Sequence, residues 1–399
     1  MPPVTARAVL EAVTAFGTAA CLCFYLLCLL GAASFLAGRR KKLAQAPPPE
    51  EGLPPISLLK PLKGLDPEMW QSLCSHCEQD YREFQLIFGV SDPADPAINL
   101  VRKLRHEYPK VPIELIVCER ALGPNIKVSN LAQMLPAARH DLLVVNDSDI
   151  CVPADYLRAV SSGLADASVG LVTCLYRGIA GGTLGSRLES LSISTDFMPG
   201  VLSARFLEGG LRFGLGSTLA FRRGDLAAIG GFEALLDYLA DDYEMGKRIA
   251  QAGKKIELSA AAVATFLPAY TVAQFFRHQL RWARTIRAAR RWGYAGLIFT
   301  FGLPWALLML IAARGAAWAW MLLGLTIAAR LAMGLTAAAV VGDAGQAFGN
   351  IFLLPLRDLL APLIWIASFT GNRIHWRGDV FDLKDGRLIV TKPPADSKK

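Results

Sequence analysis

Charge is scarce in this chain: Asp, Glu, Lys and Arg make up 19% of its 399 residues, against 53% hydrophobic residues. That balance excludes a disordered or collagen-like chain and is too apolar for a wholly soluble one. Glycine-rich phosphate fingerprints are also missing. No G-x-G-x-x-G and no Walker A string follows any strand-like run, which argues against the usual dinucleotide fold and the P-loop. Cysteine occurs eight times but without a framework: Cys21, Cys23 and Cys28 sit in an apolar run, and Cys118, Cys151 and Cys174 in apolar or strand-like stretches. No disulfide set is indicated. Cys74 and Cys77 form a C-x-x-C, yet no second pair stands at zinc-ligand spacing.

What is present is apolar length. Ala12 to Gly38 and Gly293 to Ala313 carry no charge, and each can cross a bilayer core, which needs about 20 apolar residues. After Arg314 and Gly315, the run Ala316 to Val341 holds Arg330 as its single charge. These runs predict an N-terminal transmembrane anchor (9–38) and a transmembrane hairpin (293–341). Residues 350–369 are interrupted by Pro355, Pro362 and the Arg357–Asp358 pair, which predicts a helix that is interfacial, re-entrant or spanning.

The formal charge of +8 is not spread evenly. Basic residues cluster beside the apolar runs, at Arg39 to Lys42, from Arg277 to Arg291, and from Arg373 to Arg377. This is a membrane-flank pattern, so the expected partner is a lipid bilayer and not nucleic acid. The cluster after the first run keeps that side cytosolic. An integral membrane protein follows, with a cytosolic globular domain (56–270) and a cytosolic tail (370–399).

The Pro-rich linker (39–55) cannot continue a helix throughout, and the domain starts after it. Apolar, β-branched runs at Ile56 to Leu59, Gln85 to Val90, Ile113 to Val117 and Asp141 to Val145 alternate with helix-compatible stretches at 67–79, 96–107 and 127–138. That alternation predicts an α/β fold with a parallel sheet. Ligands of such sheets lie beyond the carboxyl ends of the strands. Lys60, Asp92 and the Asp147-Ser148-Asp149 string hold those positions.

Two carboxylates at Asp147 and Asp149 suit a hard divalent cation, Mg²⁺ or Mn²⁺, which could bridge the diphosphate of a nucleotide-sugar. Lys127 is either a further phosphate contact or the solvated start of a helix. Asp241 and Asp242 form a second acidic pair ahead of a helical stretch, either as a helix cap or with one carboxylate as general base. In the basic amphipathic helix (271–292), Arg277, Arg281 and Arg284 recur at helical spacing, with Trp282 among them. Such a helix lies on anionic lipid; Arg281 could also neutralise a leaving diphosphate while Trp282 walls the acceptor.

Asp92, Asp147-Ser-Asp149, Asp242 and His278-Gln-Leu-Arg281-Trp282 stand in the order of a D, D, D, (Q/R)xxRW signature. With Lys60-Pro-Leu-Lys63-Gly64, Asn125-Ile-Lys127-Val-Ser-Asn130, Val172-Thr-Cys-Leu-Tyr176 and Leu239-Ala-Asp-Asp-Tyr243, the chain resembles the ceramide glucosyltransferase family, inverting GT-A enzymes of family 21. The likeness runs from about Ala12 to the tail. It is similar, too, to a bacterial branch, the hopanoid-associated glycosyltransferases. The resemblance implies a GT-A domain with a mostly parallel sheet between N-terminal and C-terminal transmembrane helices, placed in a bacterial inner membrane. It implies a UDP-sugar donor, UDP-glucose or UDP-N-acetylglucosamine, and a membrane lipid acceptor, ceramide or a hopanoid polyol. Lys60, Asp92, Lys127 and Asp147 would bind the donor, and Asp147 and Asp149 the metal. Asp242 would be the base, with Arg281, Trp282 and His278 completing the catalytic set; His278 departs from the Gln or Arg of the signature. The alternatives are a processive polysaccharide synthase, for which the membrane segments are few, and a catalytically silent lipid-binding scaffold.

Overall fold

The computed structural model describes residues 5–44, 52–376 and 379–390. Residues 45–51 of the Pro-rich linker, Arg377, Gly378 and the last nine residues of the tail lie outside them. The chain divides into a helical unit (1–38, 182–207 and 269–372) and a sheet unit (39–181, 208–268 and 373–399).

The sheet unit contains strands β1 (Ile56–Pro61), β2 (Phe84–Val90), β3 (Ile113–Val117), β4 (Leu142–Val145), β5 (Ile150–Cys151), β6 (Val169–Ile179), β7 (Leu219–Arg222) and β8 (Lys255–Phe266). They form one eight-stranded sheet in the order β3-β2-β1-β4-β7-β6-β8-β5. The four runs read from sequence are β1 to β4, parallel to one another. The mostly parallel sheet implied by the resemblance is observed: β7 enters between β4 and β6 antiparallel to both, and β5 pairs antiparallel with β8. The sheet is mixed and mostly parallel. Near-continuous apolar strands such as β1 and β4 are buried along their whole length, as strands covered on both faces must be.

Register places the chemistry. Leu59 pairs with Val145, so β4 ends while β1 runs on through Lys60 and Pro61. The segment 146–149 therefore leaves the sheet beside the projecting end of β1. The helix Asp241–Gln251 begins with both acidic residues in its first turn, and its N-cap is Ala240, so neither aspartate is the cap. Three further strands, β9 (Arg373–Trp376), β10 (Asp379–Lys384) and β11 (Arg387–Val390), form an antiparallel sheet where the sequence reading has only a tail. Leu388 N donates to Asp237 O at 2.6 Å, which ties this sheet to the stretch ahead of Asp241.

In the helical unit, three helices are long and apolar enough to cross a membrane: Ala6–Lys42, Ala317–Val340 and Ile351–Ser368. A fourth candidate is the pair Arg291–Thr300 and Gly302–Ala312, bent by 52° at its break. The prolines of the last helix are accommodated differently: Pro355 lies in its first turn, where a missing N–H leaves nothing unsatisfied, and only Pro362 is internal. The basic helix runs Val272–Ala289 and starts in a reciprocal capping box, Thr271 Oγ1 accepting from Gln274 N and Gln274 Oε1 from Thr271 N.

Candidate active site

The loop after β4 is held from below. Asn146, fully buried, donates through Nδ2 to Ser217 O at 2.6 Å and to the hydroxyls of Tyr156 and Thr218 at 3.0 and 3.2 Å. Lys60 is also fully buried and donates to Asp147 O at 2.8 Å and Ile150 O at 3.2 Å. Burial pushes its pKa down to about 8, against the pull of Asp149 and Asp147. Lys60 thus clamps the backbone of the acidic turn from inside the sheet unit.

Above that floor the acids gather. Lys127, in the first turn of the helix Ile126–Met134, bridges Asp147 Oδ1 at 2.8 Å and Asp241 Oδ2 at 3.1 Å. Burial works against its charge, but Asp147, Asp241 and Asp242 outweigh it and hold its pKa above the lysine norm. Asp242 accepts from Gly216 N at 2.7 Å and Tyr243 N at 2.8 Å. Burial, and then the neighbouring Asp241 charge, push its carboxyl up to about 6. Gly216 is where two carboxylates converge: a Cβ there would lie 2.9 Å from Asp147 Oδ2 and 3.2 Å from Asp242 Oδ2.

Asp149 is more withdrawn. Its Oδ2 accepts from Thr265 Oγ1 at 2.6 Å, and burial, followed by Asp147, raises its pKa. Asp92 is exposed at the end of β2, its carboxylate closing a turn on Ala94 N at 2.8 Å. A cleft opens beside the cluster, lined among others by Lys63, Lys127, Asp147, Trp376 and Phe381. Of the residues singled out from sequence, Lys127 and Asp147 line it, with Asp242 joined to them through Gly216 and Lys60 and Asp149 behind. Asp92 is not in its wall.

The donors fit a divalent cation of a particular kind. Among the described residues no three His, Cys, Asp or Glu side chains form a closed cage. Asp147 Oδ2 instead lies over Gly216 beside Asp242 Oδ2, and the Asp147 side chain is 39% exposed. Mg²⁺-like ions bound through one or two carboxylates take their other ligands from water and substrate phosphate.

The helical unit carries the other signature residues. His278 donates through Nδ1 to Glu189 Oε1 at 3.1 Å, and Gln279 Nε2 to Glu189 Oε2 at 3.0 Å. Glu189 is fully buried and was not singled out from sequence. An isolated Glu in an apolar helix gives no signal until its partners on the basic helix are in place. Trp282 meets His278 at 5.4 Å and Phe197 at 5.6 Å between ring centroids; both Arg281 and Trp282 are half-buried.

Comparison with known proteins adds to this geometry. The family model described as Glycosyl transferase family 21 matches residues 19–389. Ceramide glucosyltransferase 1 of Caenorhabditis elegans is 25% identical over 357 residues, covering 86% of this chain and 74% of that protein. Ceramide glucosyltransferase 3 of the same organism is 24% identical, over 93% and 81% of the two chains. Among solved structures, a mannosyltransferase from Pyrobaculum calidifontis in complex with GDP-Man and Mn²⁺ matches with a TM-score of 0.52 at 20% identity. It covers 90% of this chain and 98% of that one; the likeness is one of fold.

Proposed function

Because the chain belongs to glycosyl transferase family 21, we propose that it moves one glucose or N-acetylglucosamine from a UDP-sugar to the hydroxyl of a membrane lipid, with inversion. It is a glycosyltransferase with membrane-type helices; donor, acceptor and residue roles are the proposed part. Ceramide is the acceptor its relatives' names carry, and a hopanoid polyol is the alternative lipid. The sheet unit faces the cytosol, on the side of Arg39 to Lys42.

The observation that carries this reading is the convergence of Asp147, Lys127 and Asp242 around Gly216 beside an open cleft. Asp242 is the general base. Two backbone N–H groups orient its carboxylate, and a pKa near 6 lets it take a proton near neutral pH. It removes the proton of the lipid hydroxyl as that oxygen attacks the anomeric carbon. The bond from that carbon to the diphosphate oxygen breaks, and UDP departs with the electron pair. Lys127 brings positive charge to the diphosphate side of the cleft, and Lys60 holds the Asp147 to Ile150 backbone in place. Asp147 and Asp149 would hold a Mg²⁺ or Mn²⁺ ion, which when bound offsets charge on the leaving diphosphate. Arg281 and Trp282 keep the roles the signature implies, and Glu189 fixes the imidazole of His278.

The test is transfer of radiolabelled sugar from UDP-glucose and UDP-N-acetylglucosamine, in membranes with Mg²⁺ or Mn²⁺, to ceramide and to a hopanoid polyol. A labelled lipid is expected, with Asp242→Ala lowering the rate about 10²- to 10⁴-fold. No labelled lipid from any pair, or equal product from Asp242→Ala, overturns the reading.

A further inference from the structure

Ionisable groups at membrane depth are costly and persist where they are paired or used. Read from sequence, Arg330 stands alone on its apolar helix; in the structure it does not. It is 4% exposed, and all three of its guanidinium nitrogens donate. Nε reaches Asp358 at 3.1 Å, Nη2 reaches Asp196 at 2.7 Å and Asp358 at 2.8 Å, and Nη1 reaches Thr195 O at 2.9 Å. That carbonyl needs an outside donor for a local reason. Thr195 lies in the π-helical turn Ile193–Phe197, and the residue four positions on is Pro199, which has no N–H to return.

Arg357 is bound differently. It is 7% exposed, its Nε donates to Ser192 Oγ, and its Nη2 faces Asp196 Oδ2 at 3.3 Å. Its Nη1 is buried with no hydrogen-bond partner among the described residues, and Asp196 Oδ2 is in the same position as an acceptor. A buried donor and a buried acceptor stand side by side, a costly arrangement unless a ligand completes it. The Asp196 side chain is 32% exposed, although Arg357 Nη1 and Asp196 Oδ2 themselves are covered, so a ligand reaches them past the exposed part of Asp196. Two arginines and two aspartates balance, which gives no net pull on a phosphate. An adjacent unfilled donor and acceptor instead match a neutral group that offers both, such as a hydroxyl or a secondary amide.

The neighbours are those of a lipid head. Phe197, next to Asp196, meets Trp282 at 5.6 Å, Trp282 meets His278 at 5.4 Å, and His278 stacks on Tyr270 at 5.4 Å. This half-buried aromatic row starts next to Asp196 and includes the signature tryptophan. We propose that Asp196 and Arg357 bind the polar head of a neutral lipid acceptor through its hydroxyl or amide, beside Phe197 and Trp282. The site rests on the reading that the acceptor is a membrane lipid.

The test compares Arg357→Lys and Asp196→Asn with the wild type, using ceramide or the hopanoid polyol, whichever is glycosylated. The expected result is a roughly tenfold higher KM for the lipid, the effect of one charge-assisted hydrogen bond, with kcat and the donor KM unchanged in variants that remain folded. An unchanged lipid KM in a folded variant overturns the site, and so does an equal loss of donor affinity. A second arm needs no variant: a form of the same lipid carrying a photoactivatable group on its head is crosslinked to wild-type protein. Label on residues 192–197 or 354–361 supports the site, and label confined to other segments overturns it. Phosphatidic acid, whose head is anionic, should not compete; full competition by it also overturns the assignment. If the wild type glycosylates no lipid, the enzyme reading falls and takes the site with it; glycosylation with unmoved variants removes the site alone.

Discussion

In the sheet unit the carboxylates of Asp147, Asp149, Asp241 and Asp242 gather around the ammonium groups of Lys60 and Lys127. In the helical unit, Arg330 and Arg357 meet Asp196 and Asp358 one for one. The first cluster carries excess negative charge, raises the pKa of Asp242 and Asp149, and is completed by something positive brought from outside. The second is balanced from within, and its arginines join chain segments far apart in sequence. An acidic surplus at a cleft is a feature of chemistry kept at a cost in stability. Balanced charge in an apolar unit holds structure and leaves room only for a neutral guest.

The largest effect that can break this comparison is on stability. Asp358→Ala leaves Arg330 with Asp196 as its remaining carboxylate partner of the two, and removing one partner of a buried pair costs about 3–5 kcal/mol. Thermal unfolding in detergent should show a clear drop for this variant. Asp242→Asn should do the opposite, because it removes a charge that burial and Asp241 both disfavour; stability should hold or rise by about 1 kcal/mol while transfer is lost. If both variants shift the unfolding temperature in the same direction, the distinction between the clusters fails.

The two clusters also differ in how far the sequence reveals them. Asp147 and Asp149 directly follow an apolar strand run, and Asp241 and Asp242 precede a helical one. Position relative to secondary structure therefore marks them, and the strands themselves are legible from their β-branched alternation with helices. Arg330, Asp196 and Asp358 come from three separate segments, and only packing makes them a group. Gly216 gives no motif, because its use lies in the absent side chain and not in backbone strain. The β9 to β11 sheet lies where the sequence reading has only a tail, although its turn carries a local signal. Alternating runs flank Asp385-Gly386, both at positive φ, which is a strong two-residue hairpin signal, and the fold brings Trp376 and Phe381 to the cleft. Antiparallel β7 went unread because a four-residue strand, Leu219–Arg222, carries too little pattern to fix its direction.

Gly216→Ala tests the geometry of the acidic cluster without changing its charge. The added methyl would sit 2.9 Å from Asp147 Oδ2 and 3.2 Å from Asp242 Oδ2, so both carboxylates must move apart. A displacement of this size at reacting groups costs about 10²-fold in rate. The expected outcome is a fall of that order in kcat, measured on protein whose thermal unfolding shows that it is folded. Wild-type turnover in this variant would mean that the two carboxylates do not act at one centre.

The smallest effect is the most specific to Asp242. Its carboxyl is pushed up to about 6 by burial first and by Asp241 second, with Lys127 opposing. A general base must be ionised, so activity is present above that value and is lost as pH falls through it. Because kcat/KM reports groups of the free enzyme, its acid limb should lie near pH 6 and fall about tenfold per unit below it. Asp241→Asn removes one cause of the raised value, so the limb should move to lower pH. The same variant should leave the lipid KM unchanged, because Asp241 belongs to the sheet unit and the proposed lipid contacts to the helical one. A wild-type limb in the ordinary carboxylate range near pH 4 would exclude Asp242 as the titrating base and pass that role to another group of the cluster.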